Sequence, residues 1–151
     1  MKHTISFLLP ILLIVCVFSF SCSIDPVDTK LIIINNSADT IVYEIVNDSI
    51  LPNYRPSIYN DYLTNERGEK ILNETNQVIH PNDSKTPSWP GKWEYFFKNN
   101  NPTKKLFLFV FSKQTLLKCS WDSIKQTNNF LKRYEFSELE LIKLNWTIKY
   151  P

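Results

Sequence analysis

Glycine is almost missing from this chain: only Gly68 and Gly91 occur in 151 residues. Loops that cradle phosphate bring backbone N–H groups close to the anion and need several glycines to do so, so a nucleotide-binding loop of that kind is excluded. Histidine is equally scarce, His3 and His80. A zinc site needs three or four convergent His, Cys, Asp or Glu ligands, and neither His-x-x-x-His nor Cys-x-x-Cys occurs. No Asp-x-Asp-x-Asp-Gly loop is present to hold calcium. Charge is nearly balanced, 17 Lys and Arg against 15 Asp and Glu. The basic pairs Lys104-Lys105 and Lys132-Arg133 are isolated, and each borders an apolar strand. The clustered positive charge that tracks a nucleic-acid backbone is therefore missing. No cofactor, no metal and no nucleic-acid partner are expected.

Signals for catalysis are equally thin. Cys119 and His80 are the one nucleophile–base combination outside the first residues, and no glycine elbow accompanies either. The plainer reading is a half-buried thiol and a turn histidine before Pro81. Asp61, Glu66, Glu69 and Glu74 read as a solvated face. An acid–base pair of carboxylates has no local signature, so a hydrolase stays as the remote alternative. The expectation is a protein that is not an enzyme.

What is present begins at the N-terminus. Lys2 and His3 precede an almost unbroken apolar run from Ile5 to Phe20, which ends in Ser21-Cys22. A transmembrane helix needs about 20 apolar residues. This run is shorter, and Pro10 removes a helix hydrogen bond inside it. The basic–apolar–small order resembles a bacterial lipoprotein signal peptide, in which the cysteine becomes the lipid-bearing first residue of the mature chain. Ser19 and Phe20 stand where that pattern usually has Leu or Val and then a small residue. An ordinary secretory signal and a single-pass anchor remain as alternatives. The resemblance implies a signal peptide at 1–21, a lipidated tether at 22–29 and a single β-rich domain at 30–151. It also implies attachment to the cell envelope, at the outer membrane, with Cys22 as the lipid-bearing residue and the membrane as a partner. With Cys22 taken by lipid, Cys119 has no cysteine to pair with, although an exported chain could form a disulfide.

Hydrophobic patterning gives the fold class. Leu31–Ile34 and Thr40–Val46 are β-branched runs separated by Asn35-Asn36-Ser37, the pattern of a hairpin. Residues 47–104 are broken by six prolines, Pro52, Pro56, Pro81, Pro87, Pro90 and Pro102. Only short strands fit there: Arg55–Tyr59, Gln77–His80 and Trp93–Phe97. Asn60–Asn76 reads as a long loop or one short helix. Leu106-Phe107-Leu108-Phe109-Val110-Phe111 is apolar at every position, which implies a strand buried on both faces. Ser120 caps a helix over Trp121–Gln126 that Asn128-Asn129 ends. Phe130–Phe136 reads as a strand. Ser137-Glu138-Leu139-Glu140 is a capping box opening a second short helix that ends near Leu144-Asn145. Trp146–Tyr150 alternates as a closing strand. The expected fold is mainly β and sandwich-like, with two short helices in the C-terminal third.

Ser120–Ile124, Leu131-Lys132-Arg133-Tyr134 and Leu139–Pro151 together resemble the C-terminal signature of small lipoproteins from gut Bacteroidales. That family ends on the same Asn-Trp-Thr-Ile and Tyr-Pro pattern and starts with a similar Asn-Ser-Asp hairpin. The resemblance spans about half of the mature chain, and implies envelope localisation and no activity. Asp39-Thr40-Ile41, Asp48-Ser49-Ile50 and Asp122-Ser123-Ile124 resemble the O-glycosylation acceptor pattern of the same bacteria. Thr40 and Ser49, at turn edges, are the better candidates.

Aromatic residues gather at Tyr54, Tyr59 and Tyr62 and again at Trp89, Trp93, Tyr95, Phe96 and Phe97. They admit two readings. Tyr54, Tyr59, Trp89 and Trp93 could form an exposed surface for a glycan or protein partner, or all could be core. The functional expectation is a lipid-anchored, non-catalytic binding or accessory module. A structural envelope lipoprotein with no ligand is the alternative.

Overall fold

The apolar run at 106–111 sets the architecture. The computed structural model describes residues 27–53, 62–64, 67, 70–72, 77–98 and 101–151. The fold is mainly β and sandwich-like, with eleven strands and four short helices among those residues. Strand β9 (Lys105–Ser112) is an inner strand of a four-stranded antiparallel sheet. It lies between β3 (Ile41–Val46) and β10 (Lys132–Ser137), and β6 (Val78–Ile79) flanks β3. Side chains alternate across a strand. Leu106, Leu108 and Val110 therefore enter one core, and Phe107, Phe109 and Phe111 enter another.

The first core is closed by a second sheet with the order β11–β2–β7, made of Thr147–Tyr150, Ile32–Asn35 and Ser84–Lys85. Leu31, Ile33 and Ile148 meet Ile41, Tyr43 and Ile79 there. The second core is closed by α2 (Lys113–Lys118) and α3 (Trp121–Thr127), through Leu116, Trp121 and Ile124. Both faces of the central sheet are thus covered, which explains a strand with no polar position from 106 to 111.

The runs at 31–34 and 40–46 do not form a hairpin. Strand β2 pairs in parallel with β11 and antiparallel with β7, whereas β3 pairs with β6 and β9. The chain crosses from one sheet to the other between them. Asn35 makes the crossing: it is fully buried, and its Nδ2 donates to the carbonyls of Asp39 (2.7 Å), Ile79 (3.1 Å) and His80 (3.1 Å). Its Oδ1 accepts from the Ser37 N–H (3.0 Å) and hydroxyl (2.6 Å). The residue expected to supply a hairpin turn supplies a buried amide instead.

Trp93–Phe97 is not a strand. It lies within helix α1 (Trp93–Lys98), where Trp93, Phe96 and Phe97 are buried at helical spacing. Asn60–Asn76, read as loop or helix, contains the antiparallel pair β4 (Tyr62–Thr64) and β5 (Lys70–Leu72). The strand expected at Arg55–Tyr59 lies outside the described residues. Two helices were expected in the C-terminal third and three are present; the addition is α2, capped by Ser112, whose hydroxyl accepts from the Thr115 N–H. The stretch 22–29 is not all tether, because Val27 and Asp28 form β1, paired with β8 (Trp89–Pro90).

The C-terminus follows its sequence signals. Ser137 and Glu140 form the reciprocal capping box of α4 (Glu138–Lys143). Asn145 (φ 49°) and Trp146 (φ 56°) are both left-handed, and the Trp146 N–H closes on the Leu141 carbonyl at 2.7 Å. That turn returns Trp146 to the first core and starts β11.

Two substitutions test the layering. Phe109→Ala is expected to cost about 3–5 kcal/mol and to lower the urea midpoint sharply; an unchanged midpoint would refute its place in the second core. Asn35→Ala removes the donor from the buried Ile79 carbonyl and from the part-buried Asp39 and His80 carbonyls and is expected to cost on the order of 1–3 kcal/mol, read in the same denaturation curves.

Candidate functional site

Strands β10 and β11 are edge strands of different sheets, and among the described residues each pairs on one side only. Between them lies an apolar cleft of about 630 Å³, lined by Tyr134, Phe136, Leu144, Thr147, Ile148 and Lys149 among others. Alternation along β10 puts Tyr134 and Phe136 on the same face, and their rings stack at 5.9 Å and 12°. The Tyr134 hydroxyl donates to the Lys149 carbonyl at 3.2 Å, so one tyrosine spans from β10 to β11. Burial pushes the Tyr134 phenol above its ordinary pKa. Lys132 Nζ lies 4.9 Å from the Tyr134 ring centre. Leu144, in the lining of the cleft, is 45% exposed.

Strand β11 bonds β2 through alternate residues: the Ile32 N–H donates to the Trp146 carbonyl, and the Asn36 N–H to the Tyr150 carbonyl. Thr147 and Lys149 therefore turn their backbone groups away from β2. An apolar cleft beside a strand edge can accept an extended peptide, which adds main-chain hydrogen bonds to side-chain burial. Sequence reasoning missed this site because its walls come from two sheets. The local signal was the alternation Phe130, Lys132, Tyr134, Phe136.

The expected aromatic platform is not assembled as such. Trp93 is 1% exposed and belongs to the first core, which corrects its assignment to a surface. Trp89 is half-buried, stacked on Trp93 at 5.5 Å and edge-on to Phe96 at 5.0 Å. Tyr54 and Tyr59 lie outside the described residues, as do Cys22, Asp61, Glu66, Glu69 and Glu74. Thr40 is half-buried, with Oγ1 3.4 Å from His80 Nδ1. Ser49 is half-buried in a bend beside Ile50, which is 72% exposed. Ser123 is exposed in the first turn of α3. Cys119 Sγ lies 3.9 Å from Asn129 Nδ2, and no hydrogen bond joins it to His80. Among the described residues, no three His, Cys, Asp or Glu side chains gather as metal ligands would, and no helix is long and apolar enough to cross a membrane.

One buried ionisable group escaped the sequence reading. Glu44, on β3 opposite Phe109, is 9% exposed and accepts a hydrogen bond from Gln77 Nε2 at 3.2 Å. Burial raises its pKa from an ordinary 4.5 to about 7. Compared with protein-family models, curated proteins and solved structures, the chain matches none of them.

Glu44 gives stability a pH dependence. Between the unfolded and folded pKa values the native state holds the proton more tightly than the unfolded chain. Stability should therefore fall as pH rises from about 4.5 to about 7. The slope is at most about 1.4 kcal/mol per pH unit. Glu44→Gln should flatten the urea midpoint across that window; a profile identical to that of the unaltered chain would show that Glu44 does not titrate there.

Proposed function

We propose that the chain is a lipid-anchored cell-envelope protein, held at the outer membrane by Cys22, and that it acts as a non-catalytic module binding an extended segment of a partner protein. The observation that carries the anchor is the spacing between the leader and the fold. Val27, only five positions after Cys22, is already paired in β1, so a tether from that cysteine would be short. The observation that favours a protein partner over a glycan is the cleft between β10 and β11. It offers an apolar trough beside a strand edge on which the Thr147 N–H already meets the Leu144 carbonyl and the Lys149 carbonyl already accepts from Tyr134, so an incoming segment would use the Thr147 carbonyl and the Lys149 N–H, whereas Trp93 is buried and offers no face to a sugar. Ser49, next to the open Ile50, is the better placed of the two proposed O-glycosylation residues, Thr40 and Ser49.

Cys22→Ala should abolish incorporation of a fatty-acid probe in growing cells; a variant labelled at full strength would overturn the anchor. A single acyl chain binds membranes only marginally, so the mature form should carry several. For the cleft, a photo-crosslinking residue at Leu144 should trap one adduct of defined mass in native envelopes. The same residue at Gln126, on α3, should not. Absence of the Leu144 adduct would favour the purely structural reading of the lipoprotein.

A further inference from the structure

The segment that enters the domain also fixes which face the tether can bring to the membrane. Val27, 56% exposed, pairs with Pro90 and bridges to Gly91. Gly91 adopts φ 78°, a conformation that side-chain-bearing residues rarely take. A Cβ there would also lie 3.5 Å from the Tyr95 ring. That distance is ordinary contact, so it is the backbone conformation that calls for glycine, and Tyr95, 50% exposed, lies beside the residue that Val27 bridges to. Lys92, immediately before α1, and Tyr95 and Lys98 within it are spaced three apart, and all three are exposed.

Asp28 and Glu94, beside the entering segment, are already engaged. Asp28 Oδ2 accepts the Trp93 N–H at 2.9 Å, and Lys30 Nζ lies 2.5 Å from Glu94 and 3.4 Å from Asp28. Lys104 Nζ donates to the Lys98 carbonyl at 2.7 Å, adding a further cation. Lys30, Lys92, Lys98 and Lys104 still outnumber Asp28, Glu94 and Glu138, the last of which lines a pocket with Lys98 and Lys104, so the face is net positive among the described residues.

We infer that the face formed by Val27, Pro90, Lys92, Tyr95 and Lys98 rests on the lipid surface itself, with Tyr95 at headgroup level and the lysines on anionic phosphates. The inference rests on the anchoring at Cys22. From there, five residues reach at most about 18 Å, which is shorter than the domain, so this end cannot stray from the bilayer. Tyrosine is enriched at membrane–water interfaces, and lysines near an anionic surface are attracted to it. The occupant is the membrane, because the tether delivers this face to lipid and its charge complements anionic headgroups.

The test uses the full lipidated chain in vesicles of phosphatidylethanolamine and phosphatidylglycerol. A nitroxide is attached at Tyr95→Cys, or independently at Val27→Cys, in a Cys119→Ser background, with Gln126→Cys as control. Collision with lipid-dissolved oxygen should exceed collision with an aqueous nickel chelate several-fold at 95 and 27, and the reverse should hold at 126. Lys92→Glu with Lys98→Glu should return the label at 95 to the aqueous pattern. Nickel-dominated collisions at both 95 and 27, in protein shown by mass to be acylated, would overturn the docking and leave the anchor standing. A label shielded from both reagents would mean that a second copy of the chain covers the face, which also overturns it. A purified chain without acyl groups would overturn anchor and docking together.

Discussion

The fold depends on one strand that must be buried on both sides. β9 carries leucines and valine toward the sheet above it and three phenylalanines toward the helices below. Burying an apolar side chain of that size is worth roughly 1.5–3 kcal/mol, so neither face can be left to water. The sheet containing β9 is therefore central, and the remaining elements have to be distributed over two covering layers. That requirement forces the chain to change layers between β2 and β3. It also places α2 and α3 immediately after β9, where α2 follows Ser112 without a loop and covers the phenylalanines just laid down.

Asparagine does in this chain much of what glycine does elsewhere. Asn82, Asn128 and Asn145 all adopt positive φ, at 58°, 50° and 49°. Asparagine tolerates the left-handed region better than most residues because its short polar side chain bonds locally. Two further asparagines act through their side chains. Asn35 joins the crossing between sheets to the end of β6, and Asn101 is 3% exposed, accepting from the Thr103 N–H at 3.1 Å and donating to the Lys105 carbonyl. A buried amide that meets its partners holds a backbone path to one geometry, and any apolar replacement leaves carbonyls without donors.

Much of the C-terminal third was legible because its signals are local. The six-residue apolar run, the Ser120 cap and the Ser137–Glu140 box each act within a few residues of themselves, and each appears where expected. The failures share a different cause. Asn35-Asn36-Ser37 looks the same whether the flanking strands pair with each other or with strands far along the chain, and β2 takes β11 and β7. Trp93, Phe96 and Phe97 fit an alternating strand loosely and a helix well, but the preceding prolines argued for extended chain. The capping of α1 is also non-local: Asp28, on β1, receives the Trp93 N–H. The cleft was illegible for the same reason, since β10 and β11 belong to different sheets.

The two ends of the functional proposal are physically joined. Lys30 Nζ sits 4.0 Å above the Trp146 ring while bonding Glu94 and Asp28, so one cation touches β1, α1 and the residue that opens β11. Phe97 meets the same tryptophan at 6.4 Å. A partly exposed ion pair or cation–π contact contributes only about 0–1 kcal/mol, so Lys30 alone does not fix the domain. Burial of Trp146 beside Ile148 supplies more, and the left-handed turn at Asn145 and Trp146 requires that burial to hold it. β11 forms one wall of the cleft and is therefore braced from the end of the domain where the chain enters. Under the proposed anchoring at Cys22, a tether pulling on β1 would load the same tryptophan that braces the cleft wall, and the short distance from Cys22 to Val27 would then constrain how the proposed partner segment could approach.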